Sequence, residues 1–270
     1  MITASIVIYH PHKEMLKTLL DCIKQANSID KLWIIDNAPM AENGWVKQYL
    51  SCVEYIESEN VGYGHAHNIA MRKAVEVGST YHVILNPDIE FEPHVLTQLA
   101  AYMDACPDAG WVMPKVLYPN GEIQYLCKML PSPFQLFLRR FLPPWKWVKK
   151  LDETFELRST QYNKELNVPF LSGCFMFLRV ATMAQYNLYF DERFFMYCED
   201  LDLSRRFHRV SKTMFNPTIC IVHNHERASY KSKKLMWCHI KSTCKYFTKY
   251  GWLIDSERTR INKELMAKIQ

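Results

Sequence analysis

Residues 82–93 read His-Val-Ile-Leu-Asn-Pro-Asp-Ile-Glu-Phe-Glu-Pro. His82–Leu85 is a short, mostly apolar run, the pattern of a strand buried on both faces, and it stops at Asn86-Pro87-Asp88, a turn-forming trio. Pro93 follows Glu90 and Glu92 and suits a first helical position, where its missing N–H costs nothing and acids face the positive helix end. Val95, Leu96, Leu99, Tyr102 and Met103 then form one apolar helical face. A buried strand, a polar turn and an amphipathic helix make one half of a βαβ unit.

The same unit repeats upstream. Ser5–Tyr9 and Leu32–Ile35 are apolar, β-rich runs, and Met15, Leu16, Leu19, Leu20 and Ile23 lie at helical spacing between them. Val53–Ile56 is a further strand, and His65–Val77 a helix that Gly78 closes. The alternation predicts an open α/β sheet, mostly parallel, over the first 115 residues. Such sheets bind ligands beyond the carboxyl ends of their strands. Those ends carry Tyr9-His10, then Asp36-Asn37, then the loop Asn60-Val-Gly62-Tyr-Gly64-His-Ala-His67-Asn68, then Asn86-Pro87-Asp88. Gly62 and Gly64 let backbone N–H groups approach a phosphate, although His67 breaks the dinucleotide pattern G-x-G-x-x-G. A carboxylate such as Asp88 at a buried strand end is well placed for a divalent ion that bridges a diphosphate.

The second half adds a buried strand, Leu171–Leu178 with Gly173 at its entrance, and a run of five acids between Asp191 and Asp202 set among aromatics. Carboxyls beside apolar groups acquire raised pKa values and suit general-base work. With a helix over 199–209, Asp202 reaches Arg206 at i,i+4, and Asp200 points elsewhere. Ile219–Glu226 is a strand ending in His223-x-His225, either of which can complete a metal site begun by Asp88.

Nine irregularly spaced cysteines without C-x-x-C indicate free thiols in a reducing compartment. The first residues lack a basic start and a long apolar core, so no secretory leader is expected. No apolar run reaches 18 residues. The net charge of +5 is uneven. Residues 127–150 and 231–250 each hold six Lys or Arg and no acid, together with Trp145, Trp147 and Trp237. They account for 12 of 33 basic residues, which leaves 21 against 28 acids and a body of net −7. Met236, Trp237, Ile240, Cys244 and Phe247 form one expected helical face, with Lys231, Lys234, Lys241, Lys245 and Lys249 opposite. Basic segments with aromatics suit an anionic membrane surface. The acidic body argues against nucleic acid as a partner.

Taken in order, IVIYH, IIDN, NVGYGHAHN, LNPD, SGCFMFLR, FDERFFMYCEDLDLSRR and VHNHERAS resemble the inverting family 2 glycosyltransferases of GT-A fold, and especially the bacterial rhamnosyltransferases of O-antigen and related surface polysaccharides. The resemblance spans roughly residues 3–250. It implies that Tyr9, His10, Asp36, Asn37, Asn60, Gly62, Gly64, Asn68, Asn86 and Arg206 face a nucleotide sugar. It implies that Asp88, with His223 or His225, holds Mg²⁺ or Mn²⁺, and that Asp200 beside Glu199 is the catalytic base. Gly173, Tyr197, Arg139, Arg140, Trp145, Trp147 and Trp237 are assigned to the acceptor and membrane side. The implied donor is dTDP-rhamnose and the implied acceptor a polyprenyl-diphosphate-linked saccharide, used at the cytoplasmic face of the inner membrane by a peripheral protein. The expected division is a catalytic domain over 1–228, with a basic aromatic insertion at about 127–165, and a basic amphipathic helical region over 229–270. A UDP-hexose donor is the alternative within the fold. A nucleotidyltransferase is the alternative outside it, but that class needs a glycine-rich stretch with Lys or Arg near the first strand, where this chain has YHPHKE.

Overall fold

The computed structural model describes residues 1–38, 41–137, 145–224 and 233–269. Its centre is a nine-stranded sheet. Strands β1 (Ile2–Ile8), β2 (Lys31–Asp36), β3 (Val53–Glu57) and β4 (Tyr81–Leu85) are parallel neighbours in the order β3-β2-β1-β4. The sheet continues through β10 (Phe175–Arg179), β6 (Ala109–Leu117), β11 (Lys212–His223) and β5 (Ile89–Glu90), with β8 (Leu166–Asn167) on β11. β10 is antiparallel to both β4 and β6, whereas β6 and β11 are parallel. β1–β4, β6 and β11 therefore share one direction, and β5, β8 and β10 oppose it.

Helices α1 (Lys13–Ala26), α2 (Tyr63–Glu76) and α3 (Val95–Ala105) cross between strands as the periodicity predicts. α1 buries Leu16, Leu19, Leu20 and Ile23. Gly78 adopts φ +66 just beyond α2, and its N–H bonds Val75 O, so the glycine closes the helix by a left-handed turn. Three expectations are corrected. The helix after Pro93 starts two residues later, at Val95, behind His94. Leu171–Leu178 is two strands, β9 (Phe170–Leu171) and β10, parted by a turn at Gly173-Cys174. The last strand begins seven residues earlier than its apolar core suggests and stops at His223, because β11 carries irregular register between Asn216 and Cys220 that interrupts the sequence pattern.

Beyond the sheet lie α4 (Pro133–Leu136), α5 (Lys146–Phe155), α6 (Val180–Gln185), α7 (Glu199–Val210), α8 (Lys233–Tyr250) and α9 (Ser256–Ile269). A two-stranded sheet of β7 (Cys127–Lys128) and β9 lies beside α7. Tyr246 and Phe247 of α8 and Ile261 of α9 join Leu130, Phe194, Cys198 and Leu201 in a second apolar cluster. Arg205 of α7, 1% exposed, ties these helices down: it forms a two-pronged pair with Asp255 (2.7 and 2.8 Å) and bonds Glu257 (2.6 Å). Its guanidinium also lies 4.0 Å from the Tyr250 ring centre. Burial alone would raise the Glu257 carboxyl, but Arg209 and Arg205 hold it down to about 2.

Candidate active site

The strand directions explain why residues scattered over 200 positions meet. β1, β2, β3, β4 and β11 all end at one edge, which brings Tyr9-His10, Asp36, the 58–62 loop, Asn86–Asp88 and His223 there. β10 runs the other way, so its beginning, not its end, lies at this edge: Phe175 pairs with Leu85, and the Asn86 N–H donates to Cys174 O (3.0 Å). Gly173 is thereby placed beside the Asn-Pro-Asp turn.

One corner holds Asp88 and His223. Asp88 Oδ2 lies 3.3 Å from His223 Nε2, and the Asn224 N–H donates to Asp88 O (2.9 Å). Asp88 Oδ1 is buried and has no hydrogen-bond partner. Gln124 braces the imidazole: its Nε2 donates to His223 O (2.7 Å), and its Oε1 lies 3.0 Å from Nδ1. An amide oxygen there calls for a proton on Nδ1, which turns Nε2 toward Asp88. Burial disfavours the His223 cation, yet Cys174 and the Asp88 carboxylate together raise its pKa to about 10. An orphaned carboxylate oxygen beside a braced imidazole is a donor pair suited to a divalent cation, which would displace the Nε2 proton on binding. Among the described residues no group of three His, Cys, Asp or Glu surrounds a metal position. A cation here would draw its remaining ligands from a bound diphosphate and water, the usual habit of Mg²⁺.

The opposite corner holds Glu199 and Asp200 at the start of α7. Tyr197 (φ 69) and Cys198 (φ 63) are consecutive left-handed residues without being glycines, a costly conformation held by a buried Cys198 and by Ser242 Oγ donating to Met196 O (2.7 Å). This turn aims the first residues of α7. The Gly173 N–H donates to Asp200 Oδ2 (2.9 Å), and the Leu201 N–H to Oδ1 (2.8 Å). A side chain at Gly173 would meet Asp200 Cβ at 2.9 Å, so only glycine permits this approach. Ser204 Oγ clips the helix to the neighbouring strand, accepting from the Leu171 N–H (3.0 Å) and donating to Pro169 O (3.1 Å). Burial pushes the Asp200 carboxyl above its usual range, against the pull of the Gly173 and Leu201 N–H groups and of Lys128. Glu199 is buried, its Oε2 is unpartnered, and burial with the neighbouring Asp200 pushes it well above the carboxylate range.

Tyr63, the first residue of α2, spans the two corners. Its hydroxyl lies 2.9 Å from both Asn86 Oδ1 and Gly173 O. Burial and the nearby Glu199, Cys174, Asp200 and Asp88 push that hydroxyl well above its ordinary pKa, so it stays a neutral donor. Its only signal in the sequence is its place between two glycines. Tyr63→Phe leaves both oxygens without their shared donor and is expected to lower stability by about 1–3 kcal/mol, read from the urea midpoint. An unchanged midpoint would refute the bridging role.

The other candidates divide. Asp36 is fully buried with both oxygens engaged, by Ala38 N–H (2.9 Å), Asn43 Nδ2 (2.7 Å) and the Tyr55 hydroxyl (2.5 Å). Asn37 is buried beside Gly62 O. Tyr9, His10 and Asn60 are exposed along the edge, free to meet a ligand. Gly62 (φ +115) and Gly64 leave no room for a side chain because Phe195 and Phe190 lie against them. Asn68 brackets the same segment, donating to Phe190 O (2.9 Å) and accepting from the Phe190 N–H (2.8 Å). Arg206 pairs with Asp202 at i,i+4 (2.8 Å) as expected and also donates to Tyr189 O (2.5 Å). Asp202 further accepts from Lys249 Nζ (2.5 Å) and the Tyr250 hydroxyl (2.7 Å), so Asp200 and Asp202 do point apart.

On the basic side, Trp145, Trp147 and Trp237 are exposed, and Tyr197 packs edge-on to His239. Arg139, Arg140 and His225 lie outside the described residues. The expected helical faces of 231–250 are corrected. The buried face of α8 is Ser242, Thr243, Tyr246 and Phe247, while Trp237 is exposed. Lys249 is engaged by Asp191 (2.8 Å) as well as Asp202, and Lys245 bonds Arg193 O, so this end of the lysine arc is bound rather than solvated.

The order and directions of the strands, with their crossing helices, are those of the GT-A fold. Staphylococcus aureus TarS superposes with a TM-score of 0.61 at 12% identity over 98% of this chain, which spans 42% of the TarS chain. The profile described as "Glycosyl transferase family 2" matches residues 4–185, and the chain belongs to that family. It is similar to the rhamnosyltransferase WbbL of Escherichia coli K12, 25% identical over 95% of this chain and 97% of WbbL. It is also 26% identical to the Mycobacterium tuberculosis N-acetylglucosaminyl-diphospho-decaprenol L-rhamnosyltransferase, over 61% of this chain and 56% of that protein. The profile match ends before α7, so Asp200, Arg206 and His223 lie beyond it.

Proposed function

We propose that the protein transfers a sugar, L-rhamnose from dTDP-rhamnose, to a hydroxyl of a polyprenyl-diphosphate-linked saccharide, with inversion at the anomeric carbon, at the cytoplasmic face of the membrane during surface-polysaccharide synthesis. The observation that carries this reading is the pair of corners joined by Tyr63: a diphosphate-side corner of Asp88 and His223, and a base-side corner of Asp200 held by the Gly173 N–H. The two similar rhamnosyltransferases support the sugar, and the decaprenol in one of their names supports the lipid-linked acceptor.

The acceptor hydroxyl is a poor nucleophile at neutral pH. Asp200 takes its proton as the oxygen attacks from the face opposite the departing diphosphate. The two N–H groups on its carboxylate fix the oxygens in position and favour the ionised form against the effect of burial. Asp88 and His223 would hold Mg²⁺ or Mn²⁺, whose charge offsets the negative charge that develops on the leaving diphosphate. Asp36, its carboxylate committed to Ala38, Asn43 and Tyr55, supports the nucleoside end from beneath together with Asn37, and Tyr9, His10 and Asn60 reach over it.

A thermal-shift panel of nucleotide sugars with Mn²⁺ tests the donor: ligand at 100 times its Kd adds about 2.7 kcal/mol of stability. dTDP-rhamnose is expected to give the largest shift; a larger shift from a UDP-hexose would overturn the donor assignment. Asp88→Ala is expected to abolish the metal-dependent part of that shift, and equal shifts with and without Asp88 would remove it from the metal site.

A further inference from the structure

The loop between α8 and α9 presents Leu253 and Ile254 at 90% and 87% exposure, with Trp252 beside them at 43%. Leu253 and Ile254 are the most exposed large apolar side chains among the described residues, and their presentation is built. Gly251 (φ +106) turns the chain where any side chain would collide with Ile254 O, and its N–H bonds Phe247 O (2.8 Å). On the other flank Asp255 is locked by buried Arg205 and accepts the Arg258 N–H (2.9 Å). The Trp252 ring packs on Phe247, 5.3 Å between centres. A loop braced on both sides holds two aliphatic side chains outward, and among the described residues nothing covers them.

The surroundings select the partner. Phe247 belongs to the cluster that includes Leu130 and Leu136, and Trp147 stacks near Phe134 of the same stretch (5.7 Å). The tip and the exposed Trp145 and Trp147 therefore border the same 130–137 segment. Exposed Lys146, Lys149 and Lys150 follow on α5, and Lys233, Lys234 and Lys241 lie on α8, a helix without an acid. Aliphatic tips, indole rings and lysines together match an anionic bilayer, whose headgroups attract the lysines while its acyl boundary takes the apolar groups.

The geometry points to Trp252-Leu253-Ile254 as a wedge that inserts into an anionic lipid surface. This rests on the lipid-linked acceptor proposed above. The test compares wild type with the Leu253→Asp, Ile254→Asp double variant in co-sedimentation with phosphatidylglycerol vesicles and with neutral phosphatidylcholine vesicles. Both side chains are solvent-exposed, so the thermal midpoint is expected to be unchanged. Wild type is expected to partition onto anionic vesicles, and the variant roughly tenfold or more weakly. Equal partition of the two proteins, or no wild-type preference for anionic vesicles, overturns the wedge. A wild-type dimer that the substitutions make monomeric, with vesicle binding unchanged, also overturns it, since the tip then joins two copies of this chain. The double variant should keep wild-type thermal shifts with nucleotide sugars. If no nucleotide sugar shifts either protein, the transferase reading fails, and the vesicle result stands apart from it.

Discussion

Asp200→Asn is expected to lower turnover by about 10²–10⁴-fold while leaving nucleotide-sugar affinity near the wild-type value. The amide keeps the shape of the carboxylate, and its oxygen still accepts the Gly173 N–H that holds the wild-type side chain at 2.9 Å. What disappears is the ability to take a proton. Near-wild-type turnover would remove Asp200 from the chemistry. The pH profile offers a second measure. Burial raises the Asp200 carboxyl above its usual range, and only its ionised form accepts a proton. Activity should therefore be full above this raised pKa and be lost as pH falls through it. The acid limb of kcat/KM is expected to lie above the ordinary carboxylate range, and a limb at or below that range would contradict the assignment.

Arg205→Ala carries the largest expected effect on folding. Its guanidinium, 1% exposed, serves Asp255, Glu257 and the Tyr246 hydroxyl at once. Truncation strands the Asp255 carboxylate, itself 3% exposed, without its counter-charge. Breaking a buried pair from one side costs about 3–5 kcal/mol, a drop to be measured as a shift of the urea midpoint at constant slope. A loss under about 1 kcal/mol, the range of a surface pair, would mean that the pair does not hold α8 and α9 to α7. Because α8 and α9 also supply Tyr246, Phe247 and Ile261 to the cluster containing Cys198 and Leu201, the loosening should reach the turn that aims Asp200. Loss of turnover with Arg205→Ala is then expected to be recovered by conditions that restore the fold, which Asp200→Asn would not show.

Much of the candidate site is legible in the sequence. Asp36, Asn86, Asp88, Asp200 and His223 each follow or open a regular element, and polar residues at the ends of buried strands announce themselves by contrast. The i,i+4 spacing of Asp202 and Arg206 predicted their pair and the divergence of Asp200. Gly62 and Gly64 were legible as glycines but not in their reason: they make room for Phe195 and Phe190, which come from a segment about 130 residues away. Tyr63, Gln124 and Arg205 were not legible. Each acts through at least one partner more than 40 positions distant, and no local periodicity reports such a contact.

The sequence by itself determined the strands and helices of the first half, the sheet edge at which the candidate site residues gather, and the uneven placement of basic charge. These rest on local pattern: apolar runs, helical spacing, turn residues and composition. Only the tertiary structure decided that β10 runs against its neighbours, which brings Gly173 from the far half of the chain to the carboxyl edge and sets its N–H on Asp200. It likewise decided which face of α8 is buried, how Tyr63 joins the two corners, and that Leu253 and Ile254 are held outward. Strand direction, helix rotation and loop projection depend on how distant surfaces fit together, and that fit is a property of the folded chain rather than of any window along it.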